Sequence, residues 1–293
     1  MLMNEGSTSS IPVAEIDPGV RMPMLGFGVY QIPDHAQCVQ AVADAIRAGY
    51  RLIDTAAAYF NEEAVGAGIA RSGVPRESVF VTSKVWVQDA GYAETMKAFK
   101  TSLSKLNLDY LDLYLIHQPL GDYWGSWRAM CELKKAGLVR AIGVCNFAPE
   151  RLADLAIGSG VTPAVNQIEV HPFFQRADEL AAMRQLGVQP ESWGPFAEGK
   201  HGIFANETLC AIGRAHGKTA AQVALRWNLQ RGSAVLAKSV KPERMAENLA
   251  VCDFELTEEE MRAIAPLDLG VSSFAGHGSV ESVRMRHGFK VHE

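Results

Sequence analysis

The sequence predicts a single (β/α)8 barrel, and three observations carry that expectation. The chain has 293 residues, 48% of them apolar, which is enough to bury one sizeable core. Eight short apolar runs alternate with longer stretches of helical spacing, the pattern of parallel strands joined by helices. Most of those runs carry a polar or ionisable residue at or near their C-terminal end. A doubly wound open sheet shows the same alternation. The strand count and the polar strand ends favour the barrel, where all C-terminal ends converge on one mouth.

Residues 1–9 read as a flexible arm. Ile11–Ile16 and Val20–Met22 flank Asp17-Pro18-Gly19, a turn signal that predicts a hairpin. The eight strand candidates are Leu25–Gly28, Tyr50–Asp54, Val79–Val85, Leu111–His117, Ala141–Asn146, Ala164–Val170, Val188–Trp193 and Ala234–Lys238. Helical spacing falls over 35–48, 61–72, 92–106, 123–136, 149–158, 177–186, 219–231 and 242–251. Gly49, Gly73, Gly137 and Gly187 stand where helices end. Thr257-Glu258-Glu259-Glu260 has the form of a capped helix start. The whole chain, 1–293, reads as one domain, with 268–293 a tail covering the mouth and setting substrate range.

Charge narrows the partners. The 28 basic and 33 acidic residues give a net charge of -5 without long runs of one sign, which speaks against nucleic acid or an anionic membrane. The five cysteines are scattered and form no CxxC pair, so neither a disulfide framework nor a thiolate metal site is expected. With no apolar leader segment and no run of membrane-spanning length, the expectation is a cytoplasmic protein.

Four residues carry the chemistry: Asp54, Tyr59 in the loop after it, Lys84 and His117. Three of them end apolar runs, where a charge is costly unless paired or facing a cleft. Reducing a carbonyl needs a hydride on carbon and a proton on oxygen. An ammonium beside a phenol should lower its pKa and make it a better acid. An aspartate would hold that ammonium, and a histidine would orient the carbonyl. No GxGxxG fingerprint follows a strand; Leu25-Gly26-Phe27-Gly28-Val29-Tyr30 has only part of the spacing.

Asp54-Thr55-Ala56-Ala57-Ala58-Tyr59, Thr82-Ser83-Lys84, Leu115-Ile116-His117-Gln118-Pro119 and Gly143-Val144-Cys145-Asn146-Phe147 together resemble the aldo-keto reductase superfamily. The resemblance runs from about residue 11 to 267 and is strongest to bacterial 2,5-diketogluconate and methylglyoxal or glyoxal reductases. It implies Tyr59 as general acid, Lys84 and Asp54 as its tuning pair, and His117 as substrate orienter. It implies NADP(H) extended across the mouth. Cys145 (where the family usually has Ser), Asn146 and Gln167 would meet the carboxamide, with Trp193 stacked on the nicotinamide ring. Gly28, Val29, Gly194, Pro195 and Phe196 would lie along the cofactor. Lys238, Ser239, Val240, Arg244, Glu247 and Asn248 resemble the family's adenosine-phosphate clamp, and their cations favour NADP over NAD. Tyr30, Trp86 and Trp124 match positions that line the carbonyl pocket, although Trp124 on a helix also reads as packing. Phe274, His277, Arg284 and Arg286 of the tail could meet an acidic substrate. The family implies a monomer acting on small aldehydes, 1,2-dicarbonyls or keto sugar acids. Two other readings stay open: a non-catalytic NADPH sensor, and a metal-dependent barrel hydrolase using His117, Asp54, Glu169 and His171.

Overall fold

The Asp17-Pro18-Gly19 turn joins β1 (Val13–Asp17) to β2 (Val20–Pro23) in an antiparallel hairpin. A computed structural model describes residues 11–274, 276 and 278–293, so the expected arm at 1–9 and His277 lie outside the described residues. Eight further strands are all parallel and close on themselves: β3 (Leu25–Gly28), β4 (Leu52–Asp54), β5 (Phe80–Val85), β6 (Leu111–Ile116), β7 (Val139–Cys145), β8 (Val165–Glu169), β9 (Gln189–Trp193) and β10 (Ala234–Ala237). The closing seam pairs Val235 of β10 with Leu25 of β3. No helix among the described residues is long and apolar enough to cross a membrane.

Side-chain alternation divides the apolar residues between two cores. Phe80 of β5 points into the barrel with Leu52, Leu113, Leu115 and Leu236, while Val81 and Val85 pack outward under the helices. Val20 and Met22 of the hairpin join the inner cluster with Val165, so the hairpin plugs the N-terminal end of the barrel. The interior is tight enough to require glycine: a Cβ on Gly143 would lie 2.5 Å from the Val165 carbonyl oxygen.

The shell comprises α1 (His35–Ala48), α2 (Glu62–Ser72), α3 (Tyr92–Leu106), α4 (Tyr123–Lys135), α5 (Pro149–Ser159), α6 (Ala177–Gln185), α7 (Glu207–His216), α8 (Ala220–Gln230) and α9 (Pro242–Leu249). Asp34 caps α1 by accepting from the Gln37 amide. Thr219 and Gln222 cap α8 reciprocally, as Thr257 and Glu260 cap α10 (Glu258–Ile264). The tail carries α11 (Val280–Gly288), and its last residues return to the loop after β5. There the Trp86 indole donates to the Phe289 carbonyl at 2.9 Å, and Gln88 accepts from the Val291 amide at 2.7 Å.

Candidate active site

Strand register delivers three of the four reactive side chains to the mouth. Asp54 ends β4, Lys84 is next to last in β5, and His117 follows β6. Tyr59 ends a single 3-10 turn, Ala57–Tyr59, after which Phe60 takes a left-handed φ of 57°. Asn61 fastens this loop: its side chain accepts from the Thr55 hydroxyl at 2.9 Å and donates to the Val29 carbonyl at 2.9 Å.

Lys84 is fully buried, and each of its ammonium protons has an acceptor. These are Asp54 Oδ1 at 2.5 Å, the Thr55 carbonyl at 2.9 Å and, less tightly, the Tyr59 hydroxyl at 3.4 Å. Burial alone would drive the ammonium towards neutrality, but the adjacent Asp54 carboxylate outweighs it and holds Lys84 above the ordinary lysine value. Tyr59 departs from the expectation. Burial pushes the phenol up, Lys84 pulls it down, and Asp54 adds to the rise, so the net shift is upward rather than downward. The ammonium acts in the expected direction but is outweighed by desolvation, and Tyr59 keeps its proton at neutral pH.

Tyr59 and His117 meet edge to face with ring centres 5.6 Å apart, and Trp86 meets His117 at 5.1 Å. Tyr30 lies 5.0 Å from Tyr59. These residues bound a cleft of about 730 Å3. Gly28, Asn146, Gln167, Trp193, Gly194 and Pro195 continue its wall, followed by Phe196 and Lys238. From the tail, Phe274, Met285, Arg286 and Phe289 complete it. The Trp193 indole donates to Asn146 Oδ1 at 3.0 Å, and Asn146 Nδ2 donates to the His117 carbonyl at 3.1 Å, so ring and amide hold each other. An amide-bearing floor, an aromatic wall and a lysine at the far end suit a flat aromatic amide joined to phosphates, as in a nicotinamide dinucleotide.

Other expected residues fall elsewhere. Val29 and Cys145 are buried outside the cleft lining. Cys145 belongs to the barrel's inner apolar cluster, and burial pushes its thiol well above the ordinary value. Trp124 is not in the cleft: it stacks on Tyr123, and a Cβ on Gly158 of α5 would lie 2.8 Å from its ring. It packs between helices because α4 turns it towards α5. Ser239 is buried and accepts from the Lys241 amide at 3.0 Å, ordering the entry to α9, where Val240, Lys241 and Arg244 are exposed. Glu247 accepts from the Thr219 hydroxyl at 2.7 Å, and Asn248 bonds Tyr50; both face the helical shell. Arg284 is exposed and does not line the cleft, whereas Arg286 is buried in its wall and donates to Ser282.

Glu169 and His171, imagined as metal ligands, are engaged otherwise. Glu169 accepts from the Ser272 hydroxyl at 2.5 Å and the Ser273 amide at 2.9 Å, and bonds His171 Nε2 at 2.9 Å. This anchors the tail where Phe274 packs 5.2 Å from Trp193. Among the described residues, no three His, Cys, Asp or Glu side chains cluster as metal ligands. Beyond the tail residues Met285 and Phe289 that line the cleft, the sequence reading missed three contributors within the barrel. Gln31 donates to Glu198 at 2.8 Å, joining two cleft-lining loops. Asn61 fastens the tyrosine loop, and Glu191 lies fully buried in β9. Only Glu191 had a local signal: a carboxylate within a strand candidate of a parallel sheet.

A profile of the Aldo/keto reductase family matches residues 24–268. The glyoxal reductase of Bacillus subtilis (strain 168) is 45% identical over 262 residues, spanning 89% of this chain and 94% of its own. The solved Bombyx mori aldo-keto reductase in complex with NADP superposes with a TM-score of 0.87 at 34% identity, over 91% of this chain and 95% of that one. A putative 2,5-diketo-D-gluconic acid reductase B gives a TM-score of 0.87 at 37% identity, over 92% and 95%.

Proposed function

Because this chain belongs to the aldo/keto reductase family, we propose that it is an NADPH-dependent carbonyl reductase in which Tyr59 gives the proton. The observation that carries the reading is the buried Lys84 ammonium, shared among Asp54, the Thr55 carbonyl and the Tyr59 hydroxyl. The bound cofactor supplies the hydride for carbonyl reduction. Gln167, Asn146 and Trp193 would hold its nicotinamide end, and Lys238 with Arg244 would hold its phosphates.

Tyr59 retains its proton in the resting site and delivers it to the carbonyl oxygen as charge develops there. The phenolate left behind lies 3.4 Å from a fixed positive charge, which stabilises it without rearrangement. Asp54 keeps Lys84 charged. His117, held between Trp86 and Tyr59, orients the carbonyl.

The aromatic rim of Tyr30, Trp86 and Phe289 suits small aldehydes and 1,2-dicarbonyls, and Arg286 in the wall admits a keto sugar acid. NADPH consumption is to be followed with methylglyoxal, phenylglyoxal, an aromatic aldehyde and 2,5-diketogluconate, with and without EDTA. Turnover that resists EDTA and is nearly abolished by Tyr59→Phe supports the reductase. Tight NADPH binding with no turnover of any of these carbonyls would favour the sensor reading instead.

A further inference from the structure

The side-chain amide of Gln167 occupies an unusual position. It lines the cleft, yet its Nε2 also faces the barrel axis, donating to Asp54 Oδ2 at 3.0 Å and to Glu191 Oε2 at 2.8 Å. An amide nitrogen has two protons, and both are taken. The reverse orientation would set the Gln167 carbonyl oxygen against two carboxyl groups, so the amide has one favourable orientation. Only its carbonyl oxygen remains for a ligand in the cleft.

Glu191 has no role in the proton delivery described above. It comes from β9, opposite Gln167 in the β8–β9 register and Ala234 in the β9–β10 register. It is fully buried, and its Oε1 has no hydrogen-bond partner among the described residues. The ionisable groups that act on it are Asp54 from β4 and Lys84 from β5, with Cys145 from β7 also coupled to its charge. Burial first, and then the Asp54 charge, push its carboxyl up to about 7. When neutral with its proton on Oε1, it still presents Oε2 as an acceptor to Gln167. A buried acid at this place costs stability, and among the described residues its one hydrogen-bond partner is Gln167.

We propose that Glu191 is a positioning residue for the cofactor: together with Asp54 it locks the Gln167 amide so that the carbonyl oxygen faces the nicotinamide carboxamide and selects its N–H. The inference rests on the NADPH reading of the cleft. It makes a chemical demand on the ligand, because a nicotinamide-ring substituent without an N–H donor leaves the Gln167 oxygen unmatched. Sites built around a specific donor reject analogues lacking it far more strongly than sites that merely fit a shape.

The test is equilibrium binding, read by quenching of tryptophan fluorescence, of NADPH and of its 3-acetylpyridine analogue, which carries a methyl ketone in place of the carboxamide. Wild type should prefer NADPH by about tenfold or more, the scale of one lost buried hydrogen bond. Glu191→Leu should weaken NADPH binding by about tenfold and shrink the preference to roughly twofold, because one carboxylate, Asp54, rather than two then opposes the reversed amide. Glu191→Gln keeps an acceptor oxygen and should retain most of the wild-type preference. Should the leucine variant not fold, Glu191→Met carries the same expectation. An apolar variant that keeps both affinity and preference would overturn the inference and leave the cofactor reading intact. So would a glutamine variant that falls as far as the leucine one, since charge rather than the acceptor would then be what matters. Failure of wild type to bind NADPH would end both.

Discussion

Asp54→Asn tests the electrostatic logic of the site more sharply than removal of the tyrosine does. Asp54 offers one oxygen to Lys84 and the other to Gln167. Asparagine replaces one of these acceptors with a donor, which must then face either an ammonium or an amide N–H. Lys84, with no solvent exposure, loses its counter-charge. Removing one partner of a buried ion pair costs about 3–5 kcal/mol. With an unfolding entropy of about 2.1 cal/mol/K per residue, this 293-residue chain should lose roughly 5–8 °C in Tm at pH 7. The sign of the pH dependence follows. In the wild type the folded pKa of Lys84 is raised, so its contribution is fully present below the unfolded lysine value, declines as pH rises from there, and is gone above the raised folded one. In the variant the main charge opposing burial is gone and burial depresses the folded pKa, so the lysine destabilises wherever it must stay protonated. The Tm gap between the two proteins should therefore narrow as pH rises from 7 towards 10. Paired calorimetric scans across that range measure it. A variant as stable as wild type at pH 7, or a gap that widens with pH, would refute the claim that Asp54 is what keeps Lys84 charged.

Three further outcomes follow from the same geometry. Tyr59→Phe should lower kcat by about 10²–10⁴, the usual yield of general acid catalysis, while circular dichroism stays unchanged. Lys238→Ala and Arg244→Ala should each weaken NADPH binding by about tenfold to a hundredfold and NADH binding far less, an effect that competition titrations at low and high salt would expose. Glu169→Ala removes the acceptor of Ser272 and the Ser273 amide, so limited proteolysis should cut around 270–278 several times faster than in wild type.

Much of the fold was legible because its signals are local. Helices α1 and α3 fall on the residues expected from helical spacing alone. Four of the eight barrel-strand C-termini coincide with the expected ends, and four were overrun by one residue, since His117, Asn146, Val170 and Lys238 continue the apolar or polar pattern after ladder pairing has stopped. Helix α7 went unnoticed between Gly202 and Gly217: its ten residues bury only Leu209, Ile212 and Gly213, too few to mark a period against glycine-rich flanks. The tail helix α11 buries only Ser282 and Arg286, so no apolar stripe announces it.

The site divides along the same line. Asp54, Lys84 and His117 could be read because each interrupts or ends an apolar run, a contrast visible within a few residues. What stayed hidden are relations between strands. Gln167 was expected to meet the carboxamide, but nothing in the sequence shows its amide bridging Asp54 and Glu191, which come from β4 and β9 on either side of the barrel axis. Glu191 did carry a sequence signal, a carboxylate between Pro190 and Ser192 in a buried strand, but nothing local says whether such a group meets a cation, an amide or water. The balance at Tyr59 was misjudged for a related reason. Proximity to an ammonium can be inferred from motif spacing, whereas desolvation depends on how deeply the barrel and its tail enclose the phenol. In a closed barrel, burial and cross-strand pairing are set by closure. Residues whose roles depend on it become legible only once the eighth strand has returned to the first.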